Sequence, residues 1–75
     1  MKSVILDIEN EQGILKDIAI KYDLQIVLED SGKYYVEDMK HKRSMTRGYI
    51  VAIAENKHLL NSYLKLYDKV NCKLL

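Results

Sequence analysis

The sequence predicts an α+β domain: a ferredoxin-like βαββαβ sandwich, with an antiparallel sheet and two helices on one face. Three observations carry that expectation. Short β-branched runs, such as Val4-Ile5-Leu6 and Tyr49-Ile50-Val51-Ala52-Ile53-Ala54, alternate with stretches whose apolar residues recur at helical spacing. The two helical faces share one pattern offset by 45 residues: Ile14, Leu15, Ile18, Ala19 and Tyr22 map onto Leu59, Leu60, Tyr63, Leu64 and Tyr67. An aspartate follows each face, Asp23 and Asp68, and the preceding strands align at the same offset, Ile5 on Ile50 and Ile8 on Ile53. Two βαβ units in tandem make the split-βαβ pattern.

The elements follow in order. Residues 3–8 are β-branched and form a first strand, and Asn10 with Gly13 marks its end. The helix from Ile14 to Tyr22 turns Lys16, Asp17 and Lys21 to water. Residues 24–28 form the next strand, and Ser31-Gly32 is a turn before a strand over 33–37. The basic, aperiodic stretch 40–47 is a loop, and 49–54 is the clearest strand of the chain. Asn56 caps the second helix by accepting a hydrogen bond from an unpaired backbone N–H. Residues 70–75 close the sheet. Five strands then compete for four places. Either 33–38 is an extra edge strand or extended loop, or it pairs with 24–29 while 40–48 crosses over to a parallel neighbour. An edge strand offers another chain a place to pair.

Seventy-five residues, 48% hydrophobic and 31% charged, make one globular domain, 1–75, near the lower limit for a self-sufficient core. A homodimer is expected, because it hides apolar surface that so small a domain leaves over. Ile26, Leu28, Ile50 and Ala52, or their strand neighbours, would supply that surface on the far side of the sheet. No run approaches the ~18 apolar residues of a membrane span. Asp7 and Glu9 break the N-terminal apolar stretch, which is therefore not a secretory signal. Cys72 is the only cysteine, which excludes an intrachain disulfide and makes a reducing, cytoplasmic setting the default expectation. Charge is uneven: residues 1–39 hold four lysines against nine carboxylates, −5, whereas residues 40–75 hold eight Lys and Arg against two carboxylates, +6. Such halves either form an electropositive face or attract each other, within one domain or across a dimer.

The segment Ile8-Glu9-Asn10-Glu11-Gln12-Gly13-Ile14-Leu15-Lys16-Asp17-Ile18-Ala19 resembles the ACT domain, in which Gly-(Ile/Leu/Val)-Leu opens the first helix. Gly13-Ile14-Leu15 fits that motif, and Gln12 stands where Pro is common. Residues 48–75 are similar to the family's third strand, second helix and last strand, whereas 30–47 has no counterpart. The resemblance implies a non-enzymatic small-molecule-binding or regulatory module, without a cofactor, acting as a dimer. It implies an amino acid held near Asn10, Glu11, Gln12, Gly13, Ile14 and Leu15, at the interface between subunits. The physics is sound: a glycine at the turn permits positive φ and lets a ligand approach, and first-turn N–H groups attract carboxylates. Glu9 and Glu11 oppose an anion there, and Gly13 can equally serve only to start the helix.

Two other classes compete. Lys40, Lys42, Arg43 and Arg47 fall within eight residues and could contact phosphates, giving a small nucleic-acid-binding protein. Arg47-Gly48-Tyr49 matches the opening of the RNA-recognition motif's longer signature, but Val51 and Ile53 replace its stacking rings. A helix-turn-helix reading fails because Leu24-Gln25-Ile26-Val27-Leu28 favours a strand where a recognition helix belongs. The third class is a protein–protein inhibitor or adaptor of phage or mobile-element type, docking by an edge strand with Tyr34 or Tyr35 as anchor. Catalysis has little support: His41 and His58 have no adjoining nucleophile motif, and Cys72 fits a buried structural role in the last strand. His41, His58 and Cys72 lack metal-ligand spacing, and Asp7, Glu9 and Glu11 fit a solvated loop, so no metal site is expected.

Overall fold

Six elements in the order βαβββα run through residues 3–72, the part of the chain that the computed structural model describes. They are β1 (Ser3–Ile5), α1 (Lys16–Lys21), β2 (Leu24–Glu29), β3 (Tyr34–Lys42), β4 (Gly48–Ala54) and α2 (Lys57–Cys72). The fold is α+β with an antiparallel sheet, but its order replaces the expected ferredoxin-like βαββαβ. The four strands lie in sequence order, β1-β2-β3-β4, each antiparallel to the next.

The connections explain the difference. Gly32, at φ +89°, lets β2 reverse into β3, where the Glu29 N–H donates to Lys33 O at 2.9 Å. Residues 43–47 reverse β3 into β4, where the Arg43 N–H donates to Arg47 O at 2.9 Å. A parallel crossover needs about a dozen residues or more, so this short basic turn can only make a hairpin. β3 is therefore interior rather than an extra edge strand, and it contains Lys40 and Lys42. The expected fifth strand is also corrected. With no Gly or Pro after Lys57 to stop it, α2 propagates to Cys72. Residues 73–75 of that expected strand lie outside the described residues. Cys72, expected to be buried in a strand, is exposed at the end of a helix.

The 45-residue echo does not mark two equivalent units. α1 has six residues and α2 has sixteen, and β1 pairs directly and antiparallel with β2, so the first half is no βαβ unit. What the shared spacing builds is helix–helix contact. The Tyr22 and Tyr67 rings meet edge to face at 5.2 Å, and the Tyr22 hydroxyl donates to Asp68 Oδ1 at 2.7 Å. Asp23, at φ 55°, ends α1 in the left-handed conformation that aspartate tolerates.

Leu24, Ile26, Val36 and Ala54 turn one sheet face to Ile14, Ala19, Leu60 and Leu64, and these eight form the core under the helices. Of the residues expected on the far face, Ile26 and Ala52 instead pack on the helix side, and their neighbours Val27 and Ile53 face away. There Ile5, Val27, Tyr35 and Ile53 pair in one row across all four strands. Two irregularities mark β3–β4. Val36 pairs with Ala52 and Glu37 with Ile50, so Val51 is an extra residue and packs toward the helices. Asp38 pairs with Tyr49 and Lys42 with Gly48, so Met39, Lys40 and His41 bow outward.

Candidate interaction site

The basic hairpin is organised from the inside. Glu37 has no exposed surface, although it lies on the sheet face that no helix covers. Its carboxylate accepts from Arg47 Nη2 at 2.6 Å and Nε at 2.9 Å, from Gln25 Nε2 at 2.9 Å and from the Gly48 N–H at 3.0 Å. Arg43 Nη2 adds a contact at 3.3 Å, and Arg47 also reaches Glu29 at 3.5 Å. Burial works to raise this carboxyl, but the Arg47 guanidinium, the Gln25 amide and the Gly48 N–H outweigh it and hold the pKa down to about 2. Gly48 is required here: a Cβ would lie 2.5 Å from Asp38 O. Arg43 and Arg47, two of the four cations expected to meet phosphates, thus bind a carboxylate of their own chain. Lys40 and Lys42 are exposed. Nearby, Asp38 accepts from the Lys40 N–H and pairs with His41 Nδ1, both at 2.9 Å; burial opposes its ionisation, yet these bonds keep its pKa below the usual range.

The 10–15 segment is also tied to its own chain. Gly13 takes φ +79°, as expected of a turn glycine, and its carbonyl accepts from Asn61 Nδ2 at 2.7 Å. Asn61 Oδ1 in turn accepts from the Leu15 N–H at 3.0 Å. Lys57 Nζ donates to Gln12 O at 2.9 Å and pairs with Glu11 at 3.4 Å. Ile14 is buried in the core, Leu15 is half-buried beside it, and Asn10 donates to Asp7 at 2.6 Å. The groups expected to hold a ligand therefore form the seam between this loop and the start of α2. Asn56 caps α2 as expected, its Oδ1 accepting from the Leu59 N–H at 2.8 Å.

Tyr34 and Tyr35 begin β3 and point to opposite faces, Tyr34 against the core and Tyr35 into the open-face row. Both are half-buried in an interior strand, so neither lies on an edge. His41 sits on Asp38, while His58 and Cys72 are exposed on α2. Among the described residues, no three His, Cys, Asp or Glu side chains gather to hold a metal. Among them, no helix is long and apolar enough to cross a membrane.

The surface that sequence reasoning missed lies along β4 and α2. A groove of about 340 Å³ opens between them, lined by Val51 and Ala52 on one wall and by Tyr63, Leu66, Tyr67 and Val70 on the other. Leu66 and Val70 are 57% and 56% exposed, and Tyr49 just beyond the groove is 60% exposed. No lining residue is charged, and β4 contains no charged residue. The bulge at Val51 helps to shape the groove by turning that extra side chain toward α2. The signal was present in the spacing of Leu59, Tyr63, Leu66 and Val70, but assigning 70–75 to a strand concealed it. Comparison with family models, with curated proteins and with solved structures finds no match to this chain.

Proposed function

We propose that this chain is a non-enzymatic protein-interaction module that binds through the groove between β4 and α2. One observation carries the reading. In a chain that is 31% charged, three large exposed apolar side chains, Tyr63, Leu66 and Val70, line one groove that has no charged residue. Exposed apolar surface of this kind, concave and continuous, is what a polypeptide partner desolvates. Of the three functional classes, the interaction module is favoured, with its surface moved from Tyr34 and Tyr35 to the groove between β4 and α2. An amino-acid ligand at 10–15 would have to displace Asn61 from Gly13 and Leu15, and a nucleic acid would have to compete with Glu37 for Arg43 and Arg47.

A heteronuclear NMR titration of the whole chain separates the classes. The probes are a designed amphipathic helical peptide with Leu at its apolar positions, each free amino acid, and short RNA and DNA oligonucleotides. The reading predicts that the peptide shifts the amide signals of Val51, Leu66 and Val70. Shifts at Asn10 to Leu15 with an amino acid, or at Lys40 and Lys42 with an oligonucleotide, together with none in the groove, would overturn it.

A further inference from the structure

α2 carries two apolar seams where a helix in a two-layer domain needs one. The inner seam, Leu60, Leu64 and Tyr67, faces the sheet, and Leu60 and Leu64 are fully buried on it. The outer seam, Leu59, Tyr63, Leu66 and Val70, runs at a spacing of four, three and four residues; Tyr63, Leu66 and Val70 line the groove, and Leu59 is half-buried against the core. That spacing is the a and d pattern by which one helix packs lengthwise against another. We infer that the groove is filled by a second copy of this chain, its α2 packed antiparallel along the outer seam of the first. This rests on the interaction reading above and names the partner.

Charge and symmetry favour this occupant. The charged groups of α2 lie away from the outer seam: Lys57 pairs with Glu11 and Asp68 with Lys21, both on the α1 side. Helical geometry turns Lys65 and Lys69 toward that side and the top of the helix. With the helices antiparallel about a two-fold axis, Tyr63 of each copy meets Leu66 of the other, and Leu59 of each meets Val70 of the other. The same four residues therefore close all four layers from both sides, as an isologous contact requires. Lys69 then lies opposite Ser62 of the second copy, so the axis brings no like charges together. The bulge at Val51 interrupts the outer edge of β4, which discourages strand pairing there and leaves side-chain packing as the mode of docking. The smallest specific interfaces bury about 1,200 Å² in total, or roughly a tenth of the 5244 Å² surface from each copy, so the dimer expected of this patch is a weak one.

Sedimentation equilibrium of the full chain, from about 5 to about 500 μM, should show the mass rising from 8.8 kDa toward twice that value. Leu66→Lys and Val70→Lys, each at an exposed position, should weaken the dimer by about tenfold or more while leaving the thermal melt of the monomer in place. In a Cys72→Ser background, a mixture of Tyr63→Cys and Leu66→Cys chains should oxidise to the mixed disulfide in preference to either homodimer. A wild-type chain that stays monomeric throughout would overturn the inference. If the amphipathic peptide still shifts the groove signals in that case, the interaction reading survives without it, and if the peptide does not, both fall. A dimer indifferent to both lysine variants would also overturn it, and would point to the exposed Ile5 and Ile53 on the opposite sheet face.

Discussion

Two regions of this small domain reverse the usual rule that charge stays outside and apolar groups inside, and they do so in opposite ways. At the β3–β4 hairpin a carboxylate is buried: Glu37 has no exposed surface, but Arg47, Arg43, Gln25 and the Gly48 N–H surround it. Along β4 and α2, apolar side chains are exposed: Tyr49, Leu66 and Val70 each leave more than half of their surface to water. The first inversion is closed within the chain, because each bond that the carboxylate accepts comes from a residue the fold itself places there. The second is left open. A buried polar group and a large exposed apolar patch are the informative departures in any structure, and this pair shows how to tell them apart. A departure satisfied internally holds the fold together, and one that is not satisfied internally points to a partner.

The contrast breaks first at Arg47. Arg47→Ala leaves Glu37 buried beside weaker partners, and the loss of one member of a buried pair costs about 3–5 kcal/mol, a large share of the ~4–11 kcal/mol expected for a domain of this size. Urea unfolding would measure it. A loss under ~1 kcal/mol would mean that Glu37 gains solvent more easily than its burial suggests. Next comes a comparison within α2. Leu64→Ala, on the inner seam, should cost about 2–5 kcal/mol, and Leu66→Ala, two residues along, should change monomer stability by less than ~0.5 kcal/mol. Equal costs would place Leu66 inside the fold.

Acid provides a third test. The Arg47 guanidinium and its neighbours hold the Glu37 carboxyl down to about 2, against an ordinary 4.5, so the unfolded chain takes up its proton first. The stabilisation is complete above about pH 4.5 and is lost as pH falls toward 2, worth about 3 kcal/mol across that window. Asp38 and Asp68 are also held below their ordinary values and add to the same slope. Glu37→Gln should therefore flatten the acid limb of a stability–pH profile without abolishing it. An unchanged slope would show that Glu37 is not the group responsible. Asn61→Ala removes both bonds to Gly13 and Leu15 and should cost about 1–3 kcal/mol in the same unfolding experiment. The smallest stability effect belongs to Leu66→Lys, under ~0.5 kcal/mol for the monomer, where only association should suffer.

What could be read in advance divides along the same physical line. Strands 24–28, 33–37 and 49–54 and the Asn56 cap were legible because alternation, turn glycines and capping act over a few residues. The order of the sheet was not, because it depended on whether 40–48 reverses the chain or crosses it, and composition alone describes both. Glu37 in its strand gave no sign of burial, since Gln25 and Arg47 meet it only after β2, β3 and the hairpin have docked. Val70 and Cys72 favour a strand locally, but thirteen preceding helical residues without Gly or Pro carry the helix through them. The outer seam was written in the spacing of 59, 63, 66 and 70, and its meaning emerged once the inner seam was seen to be occupied.

The most direct test of the open inversion is the solution mass of the wild-type chain beside that of Leu66→Lys at about 500 μM. The wild type should weigh close to twice 8.8 kDa and the variant close to 8.8 kDa, with the two melting alike once diluted to monomer. Two monomers, or two dimers of equal strength, would contradict the account.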